Sequence, residues 1–124
     1  MEILHKVFGR QAGTVYEDGV VLFREGEKPI HIYSVLSGQV DLFTRKGNKV
    51  FSVTAGSFVG ISFLFGSHHR EFTAITKGQT RLLDLDKKLM TERIYHDPSL
   101  AYRIMSIRYR EIVERLTQMT DQIS

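Results

Sequence analysis

The chain has 124 residues, 42% hydrophobic and 25% charged, with a net charge of +3; this suits one globular domain spanning 1–124 with a real core. Zero cysteines exclude disulfides, thiol catalysis, cysteine-ligated zinc and iron–sulfur clusters together. The charge is mild and forms no basic block, no stretch nears the roughly 18 apolar residues of a membrane span, and MEILHKVFGR is too polar for a signal peptide. A cytoplasmic protein is expected, with no membrane partner and no DNA binding by this segment alone.

In chain order, residues 1–12 read as a short leading helix or an irregular lead-in. Strand-like runs follow near 14–16, 20–24, 31–36, 39–44, 49–54, 71–76 and 80–85, rich in β-branched and aromatic residues with apolar–polar alternation. Glycine-bearing turns separate the early runs at Glu25-Gly26-Glu27, Ser37-Gly38, Lys46-Gly47-Asn48 and Ala55-Gly56. Evenly spaced short strands of this kind predict an antiparallel sandwich or barrel. Between Ser57 and Ser67, Phe58-Val-Gly60-Ile-Ser-Phe-Leu-Phe-Gly66 is apolar but bracketed by glycines, which suits a single helical turn in a loop.

From Lys87 the pattern turns helical. Lys87 to Tyr95 predicts a short helix that stops before Pro98, because the residue ahead of proline avoids the α region. Asp97 then caps a second helix with Pro98 in its first position. In that last helix Tyr102, Met105, Tyr109, Ile112, Leu116, Met119 and Ile123 are spaced alternately by 3 and 4, an uninterrupted a/d seam. Leu100, Ile104 and Ile107 give its first turns a second apolar side, whereas Glu111, Glu114, Gln118 and Asp121 occupy those positions later. A helix of ~22 residues runs about 33 Å, longer than a small β-roll covers. The base is therefore expected to pack on the roll, and the seam to pair with the same helix of a second chain in a homodimer.

The order of these parts resembles the cyclic-nucleotide-binding domain of the catabolite-activator/FNR regulators and of cyclic-nucleotide-dependent kinases. The matching words are Asp18-Gly19-Val-Val-Leu-Phe-Arg-Glu25-Gly26, Ile32-Tyr33-Ser-Val-Leu-Ser-Gly38-Gln-Val40, Ala55-Gly56-Ser-Phe58-Val-Gly60, Thr80-Arg-Leu-Leu-Asp-Leu-Asp86 and His96-Asp97-Pro98-Ser-Leu100. They cover about residues 14 to 116. The resemblance implies a mostly β fold with C-terminal helices: a jelly-roll-like antiparallel β-barrel over about 14–86, then helices over 87–124 that include a long dimerisation helix. It also implies a short phosphate-cradling helix inside a loop, and a regulatory or sensory role in a transcription regulator or a free-standing relative.

In members that bind a cyclic nucleotide, a glutamate after the loop glycine accepts the ribose 2′-OH. An arginine about ten residues on pairs with the phosphate and is followed by small residues. Gly60 matches the glycine, but Ile61 stands where the glutamate belongs. Arg70 matches the arginine, but Glu71 and Phe72 replace the small residues. Isoleucine accepts no hydrogen bond, and a hydroxyl left unpaired in a closed pocket costs on the order of 1–3 kcal/mol. The candidate ligand-binding residues are therefore Phe58, Gly60, Ile61, Ser62, Arg70, Glu71 and Phe72, with weak or no binding of cyclic AMP or cyclic GMP expected. Ser62 or Glu71 would be the substitute acceptor. An open concavity lined by Phe58, Ile61, Phe63 and Arg70 is expected under the loop. No cofactor is required, and a cyclic nucleotide or another small anion is the candidate effector.

The alternative is a metal-dependent cupin-like enzyme on a similar barrel. It lacks support from motif spacing: cupins use an H-x-H pair and a following glutamate, His68-His69 are adjacent, and His31 and His96 stand alone. No P-loop, G-x-G-x-x-G or Ser/His/Asp order is present. No catalytic residue and no metal ligand is assigned.

Overall fold

The structure is a computed structural model describing residues 13–123, without the side chains of Phe63 and of residues 118–123. The expected lead-in over 1–12 lies outside the described residues. Six strands come first: β1 (Thr14–Tyr16), β2 (Val21–Phe23), β3 (His31–Phe43), β4 (Lys49–Thr54), β5 (Phe58–Val59) and β6 (Thr73–Asp86). A single 3-10 turn, Ser62–Phe65, follows β5, and two helices, α1 (Lys87–His96) and α2 (Pro98–Ile123), close the chain. The fold is a mostly antiparallel β-sheet followed by two C-terminal helices, as the sequence predicts.

The sheet is organised by its two long strands. Along its whole length β3 pairs with β6, from His31 opposite Asp86 to Phe43 opposite Thr73. On the other edge of β3, Tyr33 and Ser34 pair with β5, and Gln39 to Phe43 pair with β4. β1 and β2 pair with opposite ends of β6. β3 and β6 thus form the spine of the sheet, and the four shorter strands pair along their outer edges.

Two pairs of expected strands are in fact single ones. The sequence places a turn at Ser37-Gly38, between 31–36 and 39–44, and leaves a gap between 71–76 and 80–85; both are bridged by continuous strand. Gly38 explains the first. Its φ is +87°, the β3–β6 register slips on either side of Ser37, and a Cβ at Gly38 would lie 2.6 Å from the Gln79 carbonyl. A glycine that signals a turn here makes a bulge, which bends the strand without ending it.

Alternation along β3 and β6 feeds two cores. Phe23, Tyr33, Val35, Val40, Leu42, Phe51, Val53, Val59, Ala74 and Leu82 fill the roll. Ile32, Leu83 and Leu85 face the other way and bury against Met90 of α1 and Leu100 and Ile104 of α2. Asp86 caps α1 by accepting from the Lys88 and Leu89 amides, and Asp97 caps α2 by accepting from Ser99 and Leu100. The base of α2 is thereby packed on the roll. Its seam points away: Tyr102 is 72%, Tyr109 69% and Leu116 57% exposed, and Met105 and Ile112 are exposed as well. The side chains of Met119 and Ile123 lie outside the described ones. Among the described residues no helix is long and apolar enough to cross a membrane.

Candidate functional site

The candidate loop runs from β5 through the 3-10 turn to Arg70. Phe58 and Ile61 are each 1% exposed, and both belong to the helix-side core with Leu83, Leu85, Met90, Leu100 and Ile104. Both anchor the loop from below; Ile61 also borders the small concavity at Arg70, and Phe58 does not. Gly60 separates them at φ +85°, and a Cβ there would collide with the Arg70 guanidinium. Ser62 opens the 3-10 turn, whose Leu64 amide donates back to the Ile61 carbonyl at 3.0 Å. The Phe63 side chain lies outside the described ones.

Arg70 is the centre of this arrangement and it is 5% exposed. Its backbone is clasped by the β2–β3 connection: the Arg70 amide donates to Glu27 O at 2.7 Å, and Gly26 N donates to Arg70 O at 2.9 Å. Inside, Nη1 donates to the Gly60 carbonyl at 3.1 Å and Nη2 to the His31 carbonyl at 2.6 Å. The guanidinium sits 4.0 Å over the Phe23 ring. Burial lowers its pKa, while Tyr33 and Glu27 oppose that effect. Arg70 therefore joins the loop, β3 and the β2–β3 connection into one unit. Its Nε has no hydrogen-bond partner among the described residues, but two of its three nitrogens already hold carbonyls.

Glu71 and Phe72 point outward to α2. The Glu71 carboxylate pairs with Arg108 and Arg115 at 3.4 Å each. Phe72 meets Phe51 edge-on with centroids 5.9 Å apart, and Arg115 lies 4.8 Å over its ring. The concavity left between Phe23, Leu42, Ile61, Arg70, Phe72 and Glu111 is about 20 Å³. Small-molecule sites usually enclose about 300–1,000 Å³. In this state the loop offers room for about one water.

Four residues of this site escape the reading from sequence: Phe23, Arg108, Glu111 and Arg115. Phe23 is one of several aromatics in a strand and carries no local mark. The three helix residues are legible only as polar flanks of the seam, since which flank meets the loop depends on how α2 docks. A broader groove of about 870 Å³ opens elsewhere, between α1 and Ile30–His31. His31 is not alone as its sequence position suggests: Nδ1 lies 2.8 Å from Asp84. Among the described residues no three His, Asp or Glu side chains converge as a metal ion requires.

Residues 14–96 match the family model for the cyclic nucleotide-binding domain, two thirds of the chain, and the chain belongs to that family. No curated protein matches its sequence significantly. Solved structures do share the fold. A putative cyclic nucleotide-binding protein from Geobacter metallireducens is 24% identical at a TM-score of 0.71, covering 93% of this chain and 86% of that one. The c-di-GMP responsive global regulator CLP from Xanthomonas campestris is 24% identical at 0.75, over 89% of this chain and 56% of that one. The catabolite activator protein of Thermus thermophilus is 23% identical at 0.72, over 86% and 52%. The chain thus spans about half the length of these two regulators.

Proposed function

We propose that the chain is a regulatory, dimer-forming module of this family whose nucleotide pocket is closed, so that it binds cyclic AMP and cyclic GMP weakly or not at all. One observation carries this reading: Arg70, the residue whose counterparts in the family hold the ligand phosphate, is turned inward onto the Gly60 and His31 carbonyls. A phosphate could recruit it only by breaking both hydrogen bonds and displacing it from Phe23. The ribose half is weaker still, because Ile61 offers no acceptor and is spent on the core. The remaining cavity of about 20 Å³ supports the same conclusion.

The exposed seam supports the second half of the proposal. Five large apolar side chains of one helix stripe, Tyr102, Met105, Tyr109, Ile112 and Leu116, stand in water on the isolated chain. Contiguous apolar surface of this kind marks an interface, and heptad spacing fits a second copy of the same helix. The role is non-catalytic: transmission of a signal to whatever adjoins or contacts the module, as in the regulators that share the fold.

Titration calorimetry with cyclic AMP and cyclic GMP tests the pocket. The expected outcome is no saturable heat below the millimolar range, and micromolar binding by the wild type would overturn this reading. Light scattering at tens of micromolar tests the assembly, with a dimer expected.

A further inference from the structure

Beyond Ile107, α2 meets the candidate loop through two arginines on one flank of the seam. Glu71 Oε1 faces Arg108 Nη2 and Oε2 faces Arg115 Nη1, each at 3.4 Å, so one carboxylate spans two residues seven apart on the helix. Both cations are also held by rings of the loop and its exit strand. Arg108 lies 5.8 Å from the Phe65 centroid and Arg115 lies 4.8 Å from that of Phe72. Arg108 and Arg115 are mostly shielded, with 16% and 31% of their side chains exposed. They take the position beside the seam from which charges usually reach across to a partner helix. The matching positions on the other flank hold Ser106 and Val113, which provide no carboxylate. The nearest alternative within the helix is Glu111, whose burial raises its carboxyl to about 7, and whose Oε1 has no hydrogen-bond partner among the described residues. Glu71 is the acid whose carboxylate lies within ion-pair distance of both arginines.

We propose that Glu71 is a tethered anion replacing a diffusible one: its carboxylate bridges Arg108 and Arg115 and docks α2, with the seam it carries, onto the roll without any ligand. The sequence change that spoils the nucleotide site, a glutamate where a small residue belongs, is thus the change that supplies the latch. The inference rests on the ligand-free reading of the pocket. It adds that the coupling between loop and helix, which a bound anion could provide, is built into the chain.

The test is hydrogen exchange on the full chain, read at the amides of residues 108–117, in the wild type and in Glu71→Ala. Two partly shielded ion pairs predict exchange faster by about fivefold in the variant. Sodium acetate should restore much of the protection by occupying the vacated place between the arginines, whereas sodium chloride at equal ionic strength should not. Arg108→Gln/Arg115→Gln should show the same loosening, with no further effect from adding Glu71→Ala. If Glu71→Ala proves poorly folded, the isosteric Glu71→Gln provides the same comparison with packing retained. Unchanged exchange in α2, or a loosening that acetate ignores and that adds to the arginine substitutions, would overturn the latch. Micromolar cyclic AMP binding by the wild type would instead overturn the ligand-free reading, and neither result implies the other.

Discussion

Glu111 gives this fold a pH dependence that can be worked out from its surroundings. The side chain lies under α2, facing Arg108, Glu114, Glu71 and Arg115, and burial is the largest influence on it, lifting its carboxyl from 4.5 to about 7. The like charges of Glu114 and Glu71 add to that, and the two arginines oppose it. The folded state therefore binds the proton more tightly than the unfolded one. Its contribution to stability is fully present below about pH 4.5 and is lost as pH rises to about 7, beyond which the carboxylate stays ionised in both states. At about 1.4 kcal/mol per pH unit between the two values, the ceiling is about 3 kcal/mol.

Glu111→Gln keeps the shape and removes the titration. Urea denaturation of both proteins at fixed concentration from pH 4.5 to 8 is the assay. The two should be nearly equal at the acid end. At pH 8 the variant should be more stable by about 1–3 kcal/mol, since water reaching a partly buried group lowers the ceiling. A difference that stays flat over this range, or a variant less stable than the wild type at pH 8, would refute the reasoning. The second outcome would mean that the arginines already hold Glu111 ionised.

Three further substitutions follow from the packing. Ile61→Glu supplies the acceptor that nucleotide-binding relatives use, yet it places a carboxylate among Phe58, Leu83, Leu85, Met90, Leu100 and Ile104; a loss of at least about 3 kcal/mol is expected in chemical denaturation, with no gain of cyclic-nucleotide binding. Gly38→Ala sets a Cβ 2.6 Å from the Gln79 carbonyl at φ +87°, and thermal unfolding should show it destabilised by roughly 2 kcal/mol. Leu116→Arg puts a charge in the seam; light scattering should find monomers where the wild type forms dimers, and a dimer of undiminished stability would exclude the seam as the interface.

Much of the fold is legible because it is written in local patterns. Alternation marks β3 and β6, the 3–4 spacing marks α2, and Asp97-Pro98 marks where α2 begins. The two glycine breaks mislead for a physical reason. Gly38 and Gly78 both have positive φ, and a positive-φ glycine serves a tight turn or a bulge equally well. What decides is whether the next residues find the same partner strand, and that partner, β6, lies some forty residues away. No window of the sequence holds that information.

The site divides along the same line. That Ile61, Glu71 and Phe72 differ from the residues which the resemblance leads one to expect is visible residue by residue, because the chemistry of an isoleucine is fixed wherever it lies. Where Arg70 points is not visible, because it depends on competition between a ligand anion and whatever the fold offers instead. Here the fold offers two carbonyls and the Phe23 face, contributed by β2, β3 and the loop. Such partners can satisfy a guanidinium but cannot neutralise it, and its pKa shifts downward from burial, as expected for a cation without a carboxylate in contact. The adjacent carboxylate that could have neutralised it, Glu71, sits on the next residue, where the chain bends, and pairs instead with Arg108 and Arg115 of α2. One step along the chain therefore separates a cation turned into the roll from an anion turned toward the helix, which sets a carboxylate against the middle turns of α2.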